Sequence, residues 1–313
     1  MTPGTGNPVV AVVGPTAAGK SDLGVALALA LGGEVVNADS MQLYRGMDVG
    51  TAKLAVEERR GVEHHLLDVW DVTETASVAE YQRMARDVVD RLRRRDVVPV
   101  AVGGSGLYVR ALLDDLAFPG TDPDVRARLE AELVDVGPGE MHRRLAAVDP
   151  AAAAAILPSN GRRVVRALEV VEITGQPFTA TLPAVRDVYP SVQLGLDVPR
   201  PELDARIDLR VVRMWDAGLV EEVARLADAG LREGRTASRA LGYAQVLRFL
   251  DGEWSEEQAL EETQRATRRF ARRQDTWFRR DDRVIWLAYD ADDLTARALT
   301  AIHRTAGATD PVA

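Results

Sequence analysis

The sequence predicts an α/β protein in which helices flank a parallel β-sheet and an α-helical insertion interrupts the sheet. Strand-like apolar segments alternate with helical patterns, beginning with a β-branched strand over residues 9–13. Several of these strands lead into loops rich in glycine or polar residues, a pattern typical of the carboxyl ends of parallel strands. From residue 118, proline and glycine separate purely helical patterns, and strand character returns at 193–198. We therefore expect an α/β core with C-terminal helices, residues 1–117 and 191–313, and a helical insertion domain, residues 118–190.

The first strand leads into a loop that is predicted to bind phosphate. Residues 14–21 have the pattern G-x-x-x-x-G-K-S, and an Ala/Leu-rich helix is predicted over 22–31. Strand, loop and helix in this order are typical of a P-loop, in which backbone N–H groups and the helix N-terminus hold anionic oxygens. Lys20 is expected to bridge phosphate oxygens and Ser21 to hold Mg²⁺. The core is therefore predicted to be P-loop NTPase-like and to bind a pyrophosphate-bearing ligand; the alternative is a surface turn with a capping serine. The residues assigned to diphosphate binding on this pattern are Gly14, Pro15, Thr16, Ala17, Ala18, Gly19, Lys20 and Ser21.

Two further strand ends carry polar groups. A second strand, 34–38, is followed by Asp39, and a buried strand, 97–102, ends in a Gly-Gly-Ser-Gly turn that contains Ser105. Because the carboxyl ends of parallel strands meet at one edge of the sheet, we expect both side chains near the phosphate loop. The alternatives are a helix cap or turn carboxylate for Asp39 and a flexible turn for Gly-Gly-Ser-Gly. A short third strand is predicted over 64–69.

Arginine clusters mark three helical segments. Arg162, Arg163 and Arg166 lie within the insertion, where the alternative is a solvated surface with a pairing to Glu169. A second stripe over 203–216 carries arginines at spacings of four and three, which place them on one helix face. These residues are Arg206, Arg210 and Arg213.

The third cluster lies in a predicted helix near the C-terminus. Arg265, Arg269 and Arg272 fall on one face, and Phe270 and Trp277 are predicted to be buried on another. Such a stripe is most often a solvated face, but this one is a local inversion of charge in a protein of net charge −9. It indicates a phosphate backbone as partner.

Composition limits the class of protein. The chain has 313 residues, 46% of them hydrophobic, and no cysteine, which excludes disulfides and thiolate metal sites. Adjacent His64 and His65 would point to opposite faces of a strand, so we predict no structural zinc. No signal peptide or membrane-spanning run is recognisable. We expect a cytoplasmic monomer without membrane association.

With these motifs in place, the sequence resembles the tRNA dimethylallyltransferase family in its bacterial form, whose members prenylate N6 of adenosine 37 beside the anticodon. Ser21 and Ser105 stand where the family often has threonine, and both keep the hydroxyl. The resemblance runs through nearly the whole chain in the family's order. The matching stretches are GPTAAGKS at Gly14, NADSMQLYRGMDVGTAK at Asn37, GGSGLYVRALL at Gly103, RRVVRALEV at Arg162, ALGYAQV at Ala240 and RRFARRQDTWFRRD at Arg268.

The resemblance implies a reaction and roles for residues. The phosphate loop would hold the diphosphate of dimethylallyl diphosphate with Mg²⁺, and Arg210 would lie near it, although Arg206 or Arg213 could serve instead. Asp39 would be the general base towards the adenine amine, with Ser105 fixing the amine or the allyl diphosphate. The partner would be the anticodon stem-loop of tRNA, with A37 extruded into the crevice. The residues assigned to tRNA, which include two arginines of the stripe near the C-terminus, are Asp39, Ser40, Met41, Gln42, Ser105, Arg126, Arg162, Arg163, Arg166, Arg269 and Arg272.

Three other functions share some of these features. A P-loop small-molecule kinase would have the same loop, and the 203–216 arginines would then form a lid over ATP. An adenylate (AMP) or ADP isopentenyltransferase would leave the insertion and the arginine stripe near the C-terminus without purpose. A non-catalytic RNA-binding protein would leave Lys20 and Asp39 unused.

Overall fold

A parallel six-stranded sheet organises the larger part of the molecule. The computed structural model of the protein describes residues 7–178 and 186–308. The strand order is β3-β2-β4-β1-β5-β6, and every pairing is parallel. The strands are β1 (Val9–Val13), β2 (Gly33–Asn37), β3 (His64–His65), β4 (Val98–Val102), β5 (Ser191–Asp197) and β6 (Val284–Ala288). The predicted fold class, a parallel sheet flanked by helices, is confirmed.

Apolar runs place the central strands inside the molecule. All five residues of β1 are fully buried, as expected for a strand covered on both faces. Val10 and Val12 share a core cluster with Leu27 of α1 and Ile302 of α11. The helices of this unit are α1 (Lys20–Leu31), α2 (Val78–Arg94), α3 (Gly106–Leu113), α7 (Arg200–Asp216), α8 (Leu219–Asp228), α9 (Tyr243–Leu250), α10 (Glu256–Phe278) and α11 (Leu294–Ala308).

The third strand is shorter than predicted. It pairs only at His64 and His65, and the chain then turns through Leu66 and Asp68, which both have positive φ angles (63° and 57°). The side chain of Asn37 donates to the Leu66 carbonyl at 2.9 Å, and Lys53 contacts the Asp68 carboxylate at 2.5 Å. These side-chain contacts take the place of backbone hydrogen bonds to β2. The prediction of a strand over 64–69 was therefore wrong beyond its first two residues.

The prediction that Phe270 and Trp277 are both buried was wrong for Trp277, which is 39% exposed. Its indole lies over Gly106, where an added Cβ would come within 2.1 Å of Nε1. The next residue, Phe278, fills the interior instead at 2% exposure. Phe270 is half-buried.

The chain forms two compact units, one from residues 1–113 with 187–313 and one from 114–186. The smaller unit contains α4 (Pro123–Val148), α5 (Pro150–Ala155) and α6 (Gly161–Thr174). Helical geometry is interrupted in α4 at Gly137, whose φ is 77°. This unit has its own core, formed around Leu129, Met141, Leu145, Val164 and Val165. Among the described helices, none is long and apolar enough to cross a membrane.

Candidate active site

The phosphate loop has the backbone that its glycines predict. Gly14 and Gly19 have φ angles of 128° and 101°, a region that side chains disfavour, and Ala17 is also left-handed at 64°. Gly19 immediately precedes α1, so the first N–H groups of that helix face the loop. Lys20 folds back and donates from Nζ to the Pro15 carbonyl at 2.7 Å. The loop therefore holds its lysine over its own backbone, where an anion would bind.

A cavity of about 720 Å³ opens beside this loop. Residues that follow three neighbouring strands line it: Lys20 after β1, Asp39 after β2 and Gly103 after β4. Helices α7 and α10 supply the opposite wall. The cavity is lined by Thr16, Ala17, Gly19, Lys20, Ser21, Asp22, Asp39, Gln42, Thr51, Ala52, Leu54, Glu58, Val102, Gly103, Arg206, Leu209, Arg210, Arg213, Phe270 and Gln274. Lys20 and Asp39 thus share one space large enough for a small ligand.

Asp39 is held in a fixed position by local hydrogen bonds. The Asn37 side chain accepts from the Asp39 N–H at 2.9 Å and donates to its carbonyl at 3.0 Å. The Asp39 carboxylate accepts through Oδ1 from the Met41 N–H at 2.9 Å. Tyr81 secures the strand end by donating to the Asn37 carbonyl at 3.0 Å. The turn-carboxylate role that the sequence left open is therefore present, and Asp39 also lines the cavity.

Ser105 contacts the segment after Asp39. Its Oγ accepts from the Ser40 N–H at 3.2 Å and lies 3.2 Å from the Ser40 Oγ. Met41 is half-buried, and Gln42 lines the cavity while donating to the Thr51 carbonyl at 3.1 Å. The polar turn after β4 and the segment after β2 are thereby joined.

The three α7 arginines all line the cavity, as their spacing predicted. Arg206 donates from Nε to the Ala17 carbonyl at 2.9 Å, and its guanidinium lies 5.0 Å from the centre of the Tyr289 ring. Arg210 donates to the Thr51 carbonyl at 3.4 Å. With Lys20, these residues make one side of the cavity strongly cationic.

Burial and this clustering of like charge change the acidity of the lysine. Burial, and then the charge of Arg210, lower the pKa of Lys20 to about 8, while Asp39 opposes the change. Burial also lowers the pKa of Arg210, again opposed by Asp39. Burial therefore disfavours the charged forms of Lys20 and Arg210, and an anionic ligand in the cavity would offset that cost.

Gln274 of α10 is a site residue to which the sequence analysis gave no role. Its Oε1 accepts from the Thr16 N–H at 2.9 Å, and its Nε2 donates to the Gly104 carbonyl at 2.9 Å. One amide thus connects α10, the phosphate loop and the turn after β4. A polar residue that interrupts the arginines of RRFARRQDTWFRRD was the available signal.

The arginines of α10 differ in their partners. Arg265 pairs with Glu262 and Arg268 with Asp208. Arg269 and Arg272 are exposed, and within the described ranges neither forms an ion pair with a carboxylate. These two charges are available to a polyanion.

In the smaller unit, two predicted contact residues are already engaged. Glu169 is fully buried and pairs with both Arg126 and Arg166. The Glu169 pairing that the sequence left as an alternative for this cluster is therefore present, through Arg166. Arg162 and Arg163 are exposed at the start of α6.

A cluster of Glu34, Glu63 and His65 brings three potential metal ligand atoms within 4.8 Å of one another. Glu34 is the second residue of β2 and lies at the end of the strand away from Asp39. Its carboxylate already contacts His65 at 2.6 Å and Arg95 at 3.0 Å. The Glu34 carboxylate is therefore already engaged by side chains of the chain itself.

Known proteins resemble this chain in sequence and in fold. The family model described as IPP transferase matches residues 42–281. The chain is 70% identical to the tRNA dimethylallyltransferase of Thermobifida fusca over 94% of each chain, and 67% identical to that of Streptomyces griseus over 97% of this chain and 99% of the relative. The crystal structure of the full-length tRNA isopentenylpyrophosphate transferase from Bacillus halodurans superposes with a TM-score of 0.71 at 39% identity, covering 96% of this chain and 99% of that one. The phosphate loop, the cavity and these matches together identify the chain as a member of the IPP transferase family.

Proposed function

We propose that the protein transfers the dimethylallyl group of dimethylallyl diphosphate to N6 of adenosine 37 in tRNA and releases diphosphate. The observation that carries the proposal is the single cavity that Lys20 and Asp39 share. One side offers cations to a leaving diphosphate, and the other offers a carboxylate to an attacking amine. The names of the relatives of this chain support the same reaction.

The diphosphate is assigned to the cationic side. Lys20, the N–H groups of the loop and the α7 arginines would stabilise the negative charge that develops as the allylic C1–O bond breaks. Ser21 lines the cavity, and in the part of the chain that the structure describes its hydroxyl has no hydrogen-bond partner. A hydroxyl at this position fits Mg²⁺, which would also bind diphosphate oxygens and add to the stabilisation of charge.

The amine is assigned to Asp39. The lone pair of N6 forms the new bond to C1, the electron pair of the C1–O bond leaves with the diphosphate, and the N6 proton passes to the carboxylate. The Met41 N–H bonds to Oδ1, and among the described residues no donor contacts the second oxygen, which is therefore available to the amine. A carboxylate that accepts this hydrogen bond makes a weakly basic adenine amine more nucleophilic.

The tRNA is assigned to the basic residues outside the cavity. Arg269 and Arg272 would bind phosphates of the anticodon stem, and the base would be extruded from the loop at a cost of a few kcal/mol. The helical insertion, with Arg162 and Arg163, is proposed as a further tRNA contact. The compartment proposed is the cytoplasm, and the protein is proposed to act as a monomer.

A direct test follows the fate of two labelled compounds. The protein is incubated with unmodified tRNA, Mg²⁺ and either labelled dimethylallyl diphosphate or labelled ATP. We expect label from the allyl compound in tRNA at A37 and no consumption of ATP. Consumption of ATP without prenylation would indicate a kinase, and prenylation of AMP in preference to tRNA would indicate an adenylate isopentenyltransferase.

A further inference from the structure

A buried carboxylate lies behind the loop that forms one wall of the cavity. Glu222 of α8 is 2% exposed and accepts hydrogen bonds from three consecutive backbone N–H groups, at 3.1, 2.8 and 3.1 Å. These belong to Asp48, Val49 and Gly50. Tyr243 of α9 donates its hydroxyl proton to the same carboxylate at 2.5 Å. Four donors converge on one group, a number that the two oxygens of a carboxylate can accept.

The loop that Glu222 holds carries groups that face the cavity. The Thr51 carbonyl accepts from Arg210 at 3.4 Å and from the Gln42 amide at 3.1 Å. Thr51, Gln42 and Arg210 all line the cavity together with Lys20. The position of one backbone carbonyl therefore orients an arginine beside the phosphate loop, and that carbonyl directly follows the three anchored N–H groups.

The loop adopts a conformation that its surroundings must fix. Ala52 has a φ of 47°, which a residue with a side chain adopts only where its surroundings fix it. Gly50 packs so closely on the Tyr243 ring that an added Cβ would lie 2.5 Å from a ring carbon. The anchor and the loop are thus fitted to each other, and neither Glu222 nor Tyr243 lines the cavity itself.

We propose that Glu222 is a positioning residue for the transfer reaction, which fixes the 48–52 loop so that Arg210 is oriented towards the diphosphate. The inference rests on the proposed function. Its consequence is selective: loss of the anchor should impair use of the diphosphate substrate, because Arg210 loses its fixed acceptor. The binding of tRNA should change much less. Gln42 is a predicted tRNA residue that hydrogen-bonds this loop, whereas Arg269 and Arg272 form no hydrogen bond or ion pair with it among the described residues.

The test compares Glu222→Gln with Glu221→Gln, an exposed neighbour on the same helix. The amide keeps the size of the side chain but turns an NH₂ group towards a backbone N–H. We expect kcat/KM for dimethylallyl diphosphate to fall by about tenfold or more, since a hydrogen-bonded charge contact to the leaving group is weakened. KM for tRNA should stay within about twofold, and hydrogen exchange should accelerate at residues 48–53. Glu221→Gln should match the wild type in all three measurements.

The results separate this inference from the proposed function. Absence of prenyl transfer by the wild type would refute the proposed function. Hydrogen exchange at residues 48–53 in the ligand-free protein would then show only whether Glu222 holds the loop. Transfer by the wild type with unchanged diphosphate kcat/KM in a folded Glu222→Gln would overturn the positioning role. If Glu222→Gln does not fold, the test uses Tyr243→Phe, which removes one of the four donors to Glu222. A smaller decrease in kcat/KM that is confined to the diphosphate substrate would support the positioning role. An equal effect on both substrates would contradict it.

Discussion

The pH dependence of diphosphate binding follows from the environment of Lys20. Its pKa is about 8 in the free protein, so about 90% of the side chain is charged at pH 7 and about 10% at pH 9. A bound diphosphate stabilises the charged form, so binding takes up a proton, and affinity falls as the pH rises through 8. If only the ammonium form binds, affinity decreases by about tenfold between pH 7 and pH 9, or about 1.4 kcal/mol.

Isothermal titration with dimethylallyl diphosphate and Mg²⁺, without tRNA, from pH 7 to pH 9.5 measures this change. The terminal phosphate of such an ester completes its ionisation near pH 6, so the ligand contributes little in this window. Repeating the titration in buffers of different ionisation enthalpy counts the protons taken up. Lys20→Met, which keeps the length of the chain without the charge, should bind weakly and with little dependence on pH. A wild-type affinity as flat as that of Lys20→Met would refute the reasoning.

Two other substitutions test separate parts of the site. Gln274→Leu removes the acceptor of the Thr16 N–H and the donor to the Gly104 carbonyl, so we expect it to destabilise the fold by roughly 1–3 kcal/mol and to weaken diphosphate binding. Denaturant unfolding measures the first effect and titration the second. An unchanged unfolding midpoint would contradict the role of Gln274 in linking the loop to α10. Replacing both Arg269 and Arg272 with alanine should reduce the slope of log K for tRNA binding against log salt concentration by about 1.5. Alanine at Arg265, which is paired with Glu262, should change this slope less. An unaltered slope in the double variant would mean that tRNA binds elsewhere.

Local sequence patterns predicted the parts of the site that lie at strand ends. A phosphate loop requires its own glycines, lysine and helix within a short stretch, and Asp39 follows the next strand, so sheet geometry alone brings Lys20 and Asp39 together. The shared face of the α7 arginines followed from helical spacing. These features depend on neighbours in sequence or on one general rule of parallel sheets.

Residues whose partners lie far along the chain were not predictable in this way. Gln274 and Thr16 are 258 residues apart, and Glu222 contacts a loop 172 to 174 residues earlier. No period or motif connects such pairs. The prediction that Trp277 is buried was wrong for a related reason. Helical spacing does not reveal that Gly106, which has no side chain, leaves room for the indole at the surface.

Asp39 is proposed to take the proton of an adenine amine in the cavity where Lys20 would hold the diphosphate. Asp39→Asn tests this proposal most directly, because an amide oxygen can still accept from the Met41 N–H while the basic carboxylate is lost. Single-turnover prenylation of tRNA, read by mass spectrometry of A37, should slow by about 10²-fold or more, with tRNA affinity close to that of the wild type, and Asp39→Ala should be at least as slow. Wild-type single-turnover rates in Asp39→Asn, or a loss of tRNA affinity as large as the loss of rate, would contradict the assignment.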